Sequence, residues 1–223
     1  MSASFQSLKM KFKTVAAAAL PMMFMATPAH VHPHVFAEAK LEISVEPNGK
    51  VKSLSHVWRF DDLFSETVMF EFDKDADGKI SPPEQAEISK TIVESTGEYN
   101  YFEAVIGNGK EIKMAKPEDL SAAFDNKILV ISYSNAPVDP LLMKGTVSFG
   151  VYDPTFYTAI DFIEDTDITI KGAPPSCTSK LIRPDADEAL AQNQGSLTDA
   201  FFNDPQGTDM SKIFATRLEL ACP

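Results

Sequence analysis

The chain has 223 residues, of which 44% are hydrophobic, 20 are basic and 32 are acidic, for a formal charge of −12. This length and apolar content allow one large domain or two small ones with a buried core. The negative charge argues against nucleic acid and anionic lipid as partners and favours cations.

The first 29 residues have the pattern of a secretory signal peptide. Three lysines between residues 9 and 13 precede an apolar stretch at 15–26, which is too short to span a bilayer. Small residues at 27–29 then fit a cleavage site. Cleavage predicts a periplasmic or secreted protein without membrane insertion. Its charge would be near −15, from 17 basic and 32 acidic residues.

A β-hairpin is predicted at the start of the mature chain. Apolar and polar residues alternate from Val35 to Val45, which is typical of a half-buried strand. Asn48-Gly49 is a strong hairpin turn, and Val51 to Phe60 returns as the second strand.

All the histidines of the chain lie before residue 57, and imidazole suits zinc, copper, nickel and cobalt. Two of them flank Pro33, so an extended chain would point both the same way. Cleavage after Ala29 would create a free amino group and make His32 the third residue of the mature chain. An amino group and a histidine in the third position can together hold copper(II) or nickel(II) in a square plane. The alternative is a polar terminus that binds nothing. The candidate transition-metal ligands are His30, His32, His34 and His56.

His56 is open to two interpretations. If Asn48 and Gly49 are the turn residues, His56 lies opposite Leu41 on the apolar face, several residues along the strands from His34. That register favours a histidine in the core. A bulge or another register would bring His56 to the terminal histidines.

Residues 73–84 (DKDADGKISPPE) have the spacing of a calcium-binding loop. Three aspartates offer carboxylate oxygens, and Gly78 predicts a sharp turn that a side chain would obstruct. Lys79 would give its carbonyl, Ser81 a direct or water-mediated oxygen, and Glu84 two oxygens. The alternative is a solvated acidic turn. The predicted calcium ligands are Asp73, Asp75, Asp77, Lys79, Ser81 and Glu84.

The flanks of this loop predict helices. Apolar residues recur at helical spacing over 61–72, and Ser81 followed by Pro82 predicts a capped helix start. We therefore expect an EF-hand-like helix-loop-helix insertion at 61–97. A single loop without a second one is more typical of structural bracing than of calcium sensing.

Further strands are predicted after the insertion. Tyr101 to Met114 reads as a hairpin turning at Asn108-Gly109, and three more strands are expected. The predicted fold is an α+β domain over residues 30–176, with a mostly antiparallel sheet or sandwich. Asp153, Asp161, Glu164 and Asp165 could complete a metal shell or form a solvated edge. The three further strands are Lys127 to Ser134, Lys144 to Tyr152 and Asp167 to Lys171.

Residues 177–223 are expected to form a short helical C-terminal tail. The helix candidates are Asp185 to Asn193, Leu197 to Asn203 and Met210 to Leu220. Cys177 and Cys222 are the only cysteines, and in an oxidising compartment they are expected to pair, tying the tail to the sheet. The alternative is a pair of thiol ligands for a soft metal, although their spacing fits no zinc motif.

Three segments resemble a known family: HPHVF at 32–36, HVWRFDDLFS at 56–65 and YDPTFY at 152–157. The resemblance is to periplasmic proteins that carry a domain of unknown function and are often labelled as periplasmic components of ABC-type transport systems. Their genes frequently neighbour nickel/cobalt or zinc transporters. The resemblance implies metal handling outside the inner membrane, with an inner-membrane metal transporter as partner. It marks His32, His34, His56, Trp58, Phe60, Asp61 and Asp153.

No phosphate loop, dinucleotide-binding turn or nucleophile elbow occurs in the sequence. We therefore expect no enzyme; the enzymatic alternative is copper held by an amino-terminal histidine. The expected function is a periplasmic accessory protein for nickel, cobalt, zinc or copper, with Ca²⁺ bracing the helical pair. The alternative function is a calcium-stabilised module that docks a partner protein and has no role in transition-metal handling.

Overall fold

The computed structural model describes residues 33–193 and 211–223. Two β-sheets share one apolar core, and a pair of helices packs against the first sheet. The α+β class with mostly antiparallel sheets, predicted from the sequence, is confirmed. In chain order the strands are β1 (Val35–Val45), β2 (Val51–Phe60), β3 (Glu103–Gly107), β4 (Lys110–Glu111), β5 (Ser121–Asp125), β6 (Ile128–Asn135), β7 (Gly145–Val151), β8 (Thr158–Asp161), β9 (Ile168–Lys171), β10 (Thr178–Ile182) and β11 (Arg217–Cys222).

Strands β1 and β2 form the predicted hairpin. Every second residue of β1 from Val35 onward is buried, because successive side chains point to opposite faces. Leu41 pairs with His56, as the sequence predicts. Glu46 donates its amide to the carbonyl of Lys50, which leaves a three-residue loop with Gly49 at a φ of +81°. Gly49 tolerates this left-handed conformation because it has no Cβ.

The first sheet has the order β5-β6-β2-β1-β8, and β9 also pairs with β1. Strands β8 and β9 run parallel to successive halves of β1, whereas the other pairs are antiparallel. The sequence predicts β6 and β9 but not β5 and β8. Those two strands have four or five residues and no strong apolar alternation, so pairing with long neighbours fixes them.

The second sheet has the order β10-β11-β7-β3-β4 and is antiparallel throughout. The predicted turn at Asn108-Gly109 joins β3 to β4 with two residues, both at positive φ. That conformation matches the twist of the paired strands. Val105, Val147 and Phe149 are fully buried and place this sheet against the shared core.

Helix α1 (Asp62–Phe72) and helix α2 (Pro82–Thr96) flank the predicted loop, as expected. The Ser65 hydroxyl donates to the carbonyl of Asp61 at 2.6 Å and accepts the amide of Leu129 at 2.9 Å, which ties α1 to β6. Val68 and Ile88 are buried against the sheet. Within the described part of the chain, none of the helices has both the length and the apolar character required to cross a bilayer.

The tail differs from its prediction. Helix α3 (Ala186–Asn193) matches the first predicted helix, and residues 197–203 lie outside the described residues. The third predicted helix, Met210 to Leu220, is wrong, because its described part contains only a three-residue 3-10 turn (Ser211–Ile213) and β11 occupies residues 217–222. Leu218, Leu220 and Cys222 are buried while the residues between them are not, a period of two that indicates a strand.

Cys177 and Cys222 form the predicted disulfide, with sulfurs 2.03 Å apart. The bridge joins Cys177, which immediately precedes β10, to Cys222 in the neighbouring strand β11, and both lie in the tail. It therefore does not itself tie the tail to the rest of the domain. That connection comes from the pairing of β11 with β7, where residues 217–222 face 145–150.

Replacing both cysteines by alanine should destabilise the protein by about 4 kcal/mol, because the bridge closes a loop over a separation of 45 residues and restricts the unfolded chain. Urea unfolding of the oxidised protein and of the double variant measures the difference. Equal free energies of unfolding would contradict this prediction.

Candidate calcium loop and histidine sites

The loop between α1 and α2 brings three carboxylates together. Asp73, Asp75 and Glu84 each offer an oxygen, and the three oxygens lie within 4.8 Å of one another. Asp73 ends α1 as its C-cap, and Glu84 lies in the first turn of α2. The two helix ends therefore contribute to one cluster of hard oxygen donors.

Backbone amides organise the aspartates of the loop. Asp73 accepts the amide of Gly78 at 2.8 Å, and Asp77 accepts the amide of Lys79 at 2.8 Å. Asp77 is not one of the three converging carboxylates. Gly78 has a φ of +77°, but a Cβ there would meet nothing within 4 Å. The predicted turn is present, and glycine is needed for the backbone conformation and not for space.

Glu84 fastens the start of α2 to the end of α1. One carboxylate oxygen accepts the amide of Lys74 at 2.7 Å. The other accepts the amide of Ser81 at 2.8 Å and its hydroxyl at 2.7 Å. The side chain is buried, so both oxygens are held in place facing the loop.

The loop carboxylates have opposite pKa shifts. The Asp77 amide lowers the pKa of Asp75, but the Asp77 charge, partial desolvation, a hydrogen bond with Asp73 and the Glu84 charge outweigh it and raise that pKa above its usual value. Hydrogen bonds from Ser81, and from the Lys74 amide, lower the pKa of Glu84. The acidic neighbours therefore repel the ionised form of Asp75, and a divalent cation would relieve that repulsion.

The terminal histidines are only partly described. His30 and His32 lie outside the described residues. His34 is exposed just before β1, and its amide donates to the carbonyl of Tyr157 at 2.9 Å. The two rings are 5.3 Å apart. Tyr157 belongs to the YDPTFY segment and His34 to the HPHVF segment, so two of the segments that resemble the known family are adjacent in the fold.

His56 does not join His34. Its partner Leu41 is seven residues along β1 from His34, about 23 Å in an extended strand. His56 is 1% exposed and stacks on Tyr133 with ring centroids 4.6 Å apart. The predicted register is therefore confirmed, and His56 is a core residue far from His34.

His56 has polar neighbours that the sequence prediction missed. Its Nε2 lies 3.5 Å from a Glu103 carboxylate oxygen without hydrogen-bond geometry. The other Glu103 oxygen accepts the Asn135 amide at 2.6 Å. Burial and the charge of Glu103 raise the pKa of Tyr133 well above its usual value. Glu103 is detectable in the sequence, because it shares the inward-facing alternation of β3 with Val105.

Asp61 and Asp153, which the family resemblance marks, both accept hydrogen bonds from backbone amides. Asp61 caps α1 by accepting the Phe64 amide at 2.8 Å, and its other oxygen accepts the Phe36 amide at 2.8 Å. Asp153 accepts the amides of Thr155 and Thr158 at 2.8 and 2.9 Å. These bonds fix the turn that carries Tyr157, so both aspartates have a structural role.

The carboxylates at the end of β8 and just after it bond to Arg183, a hydroxyl and a backbone amide. Arg183 contacts Asp165 at 3.0 Å and Asp161 at 3.9 Å, and the Thr216 hydroxyl donates to Asp161. The Glu164 amide donates to Asp167. Among the described residues these carboxylates form no cluster with metal-ligand geometry, which favours the interpretation as a solvated edge.

Replacing Asp61 by alanine should destabilise the protein by about 1–2 kcal/mol, because the cap of α1 and the bond to the Phe36 amide are lost together. Asp62→Ala is the matched control, since Asp62 is exposed and bonds only to its neighbour's amide. Chemical denaturation compares the two variants. Equal stabilities would show that Asp61 has no special structural role.

Residues 17–222 match the protein family described as "Protein of unknown function (DUF1007)". An uncharacterized protein of Haemophilus influenzae is 23% identical over 203 residues, covering 90% of this chain and 95% of that protein. Neither description names an enzyme, a metal or a transport system.

Proposed function

The chain belongs to the DUF1007 family, and we propose that it is an extracytoplasmic metal-binding accessory protein whose 73–84 loop binds calcium. The observation that supports the proposal is the convergence of Asp73, Asp75 and Glu84 oxygens within 4.8 Å. Calcium takes roughly six to eight oxygen ligands. The Lys79 carbonyl, Ser81, Asp77 and water are the natural remaining donors.

Calcium bound there would brace the helical pair. It would attract Asp73 at the end of α1 and Glu84 at the start of α2 to one centre. Extracellular calcium sites commonly have dissociation constants of about 10⁻⁴ to 10⁻³ M. A tenfold excess of calcium over that constant adds about 1.4 kcal/mol to the free energy of unfolding, a magnitude suited to bracing.

The variant Asp73→Asn/Asp75→Asn should lose calcium binding while keeping oxygen acceptors for the loop amides. Isothermal titration calorimetry measures the binding. Thermal unfolding with and without a chelator measures the stabilisation, which the variant should lack.

Glu87→Gln/Glu94→Gln is the matched control, because it removes the same charge from exposed positions on α2. It should bind calcium like the original protein. If the melting temperature of the original protein is the same in calcium and in chelator, the bracing role is wrong.

The terminal histidines give a second candidate function, the handling of nickel, cobalt, zinc or copper. It is supported by the exposure of His34 next to Tyr157, two and four residues after His32 and His30. Imidazoles prefer these softer ions, whereas the loop carboxylates prefer calcium. An inner-membrane metal transporter, implied by the family resemblance, would be the partner that receives the ion.

The mature protein should bind nickel, zinc or copper with micromolar or tighter affinity, and His32→Ala/His34→Ala should abolish that binding. Competition against a chromogenic chelator gives the affinity. His56→Gln is the control and should keep the stoichiometry, because His56 lies in the core. Absence of saturable binding to the original protein would eliminate this function and favour a calcium-stabilised docking module.

A further inference from the structure

An apolar groove of about 360 Å³ runs between α1 and α2 over the first sheet. Its floor includes Trp58 and Phe102, whose rings stack at 6.3 Å. Phe64 and Val68 line it from α1, and Ile88 and Ile92 from α2. The groove thus lies between the two helices that the loop connects.

Several of the aromatic and aliphatic side chains in this groove are only half-buried. Phe60, Phe64, Ile92 and Phe102 pack against the core but keep part of their surface in contact with water. Apolar depressions of this kind in a folded domain are typical binding sites.

The rim of the groove is polar, and Glu71 gives it an exposed carboxylate. Thr67 and Glu71 border it on α1, and Thr91 and Ser95 border it on α2; all four are exposed. None of the described residues that line the groove is basic. Residues 61–98 contain eleven acidic and three basic side chains, a net charge of −8. One calcium ion would leave this surface strongly negative.

The length of the groove suits a short helix. From Phe64 to Phe72 the α1 side covers nine residues, a rise of about 12 Å or two helical turns. An amphipathic helix presents apolar side chains at positions i, i+3 or i+4, and i+7 over that distance. Its polar face would then meet the acidic rim.

We propose that this groove docks a cationic amphipathic segment of a partner protein, with two or three apolar side chains inserted between α1 and α2. The proposal rests on the proposed function in one respect, that bound calcium fixes the spacing between the two helices. The charge distribution selects this occupant. Anionic lipid, an acidic peptide or a second copy of this chain, itself at −12, would each bring negative charge to a negative rim.

Trp58 provides a direct reporter, because it is the only tryptophan of the chain and lines the groove. The probe is a 14-residue peptide of leucine and lysine with helical apolar spacing and no aromatic residue. Its counterpart carries glutamate in place of lysine. Titration of the full mature protein with the lysine peptide should change Trp58 emission saturably, with a dissociation constant in the micromolar range. The glutamate peptide should bind at least about tenfold more weakly.

Thr67→Arg/Thr91→Arg places a bulky cation on each side of the groove. It should weaken the binding of the lysine peptide by about tenfold or more. Thr166→Arg/Thr169→Arg makes the same charge change at exposed positions away from the groove and should leave binding intact. Circular dichroism establishes that both variants are folded. Equal binding by the groove variant, or equal affinity for both peptides, would overturn the proposal.

Two further measurements separate the competing occupants. Sedimentation of the protein alone should show no dimer; a dimer abolished by Thr67→Arg/Thr91→Arg would make a second copy the occupant and overturn the proposal. Phosphatidylglycerol vesicles should leave Trp58 emission unchanged, and a saturable change in that emission would likewise overturn the proposal.

Each titration is carried out in calcium and in chelator, beside calorimetry of calcium binding. Calcium binding without peptide binding would overturn the groove inference alone. Peptide binding that is identical in calcium and in chelator would support the groove and overturn the bracing role of calcium.

Discussion

The burial of the inward face of β1 and β2 is the constraint on which the rest of the domain depends. β1 pairs with three strands, and β2 carries the sheet on to β6. Leu41, Ile43 and Leu54 on this face are at most 1% exposed, and each such side chain contributes about 1.5–3 kcal/mol when buried. The second sheet and the helical pair both pack against the core to which these side chains belong.

A group of polar side chains lies within this apolar core. His56, Glu103, Asn135 and Tyr133 meet at its centre, and Trp58 packs edge-on against His56 and Tyr133. Buried polar atoms are costly unless they are paired; the Asn135 amide donates to Glu103 at 2.6 Å, whereas both His56 nitrogens are without a hydrogen-bond partner among the described residues. Here the group links β2 and β6 of the first sheet to β3 of the second. The resemblance to metal-handling proteins marks His56, but its position explains it as a core residue.

The proposed calcium site and the proposed docking groove depend on the same two helices. The loop joins the end of α1 to the start of α2, and the groove opens between their facing sides. The bond from the Ser65 hydroxyl fixes one helix to β6, whereas α2 reaches the sheet through Ile88 and its neighbours. A cation that fixes the helix ends would therefore also fix the width of the groove.

The sequence by itself determined the local structure, because its signals act within a few residues. The Asn-Gly turns, the helix start at Ser81-Pro82, the alternation of β1 and the spacing of the acidic loop each specify conformation over at most about twelve residues. Only the tertiary structure decided which distant residues meet. It placed Glu103 beside His56, paired the short strands β5 and β8 with longer ones, and made β11 a strand within the second sheet. These outcomes depend on contacts between residues far apart in the chain, which local propensity does not encode. The groove is the clearest case, since its sides come from α1, α2, the first sheet and the turn of Asp153, and no one of these segments contains it.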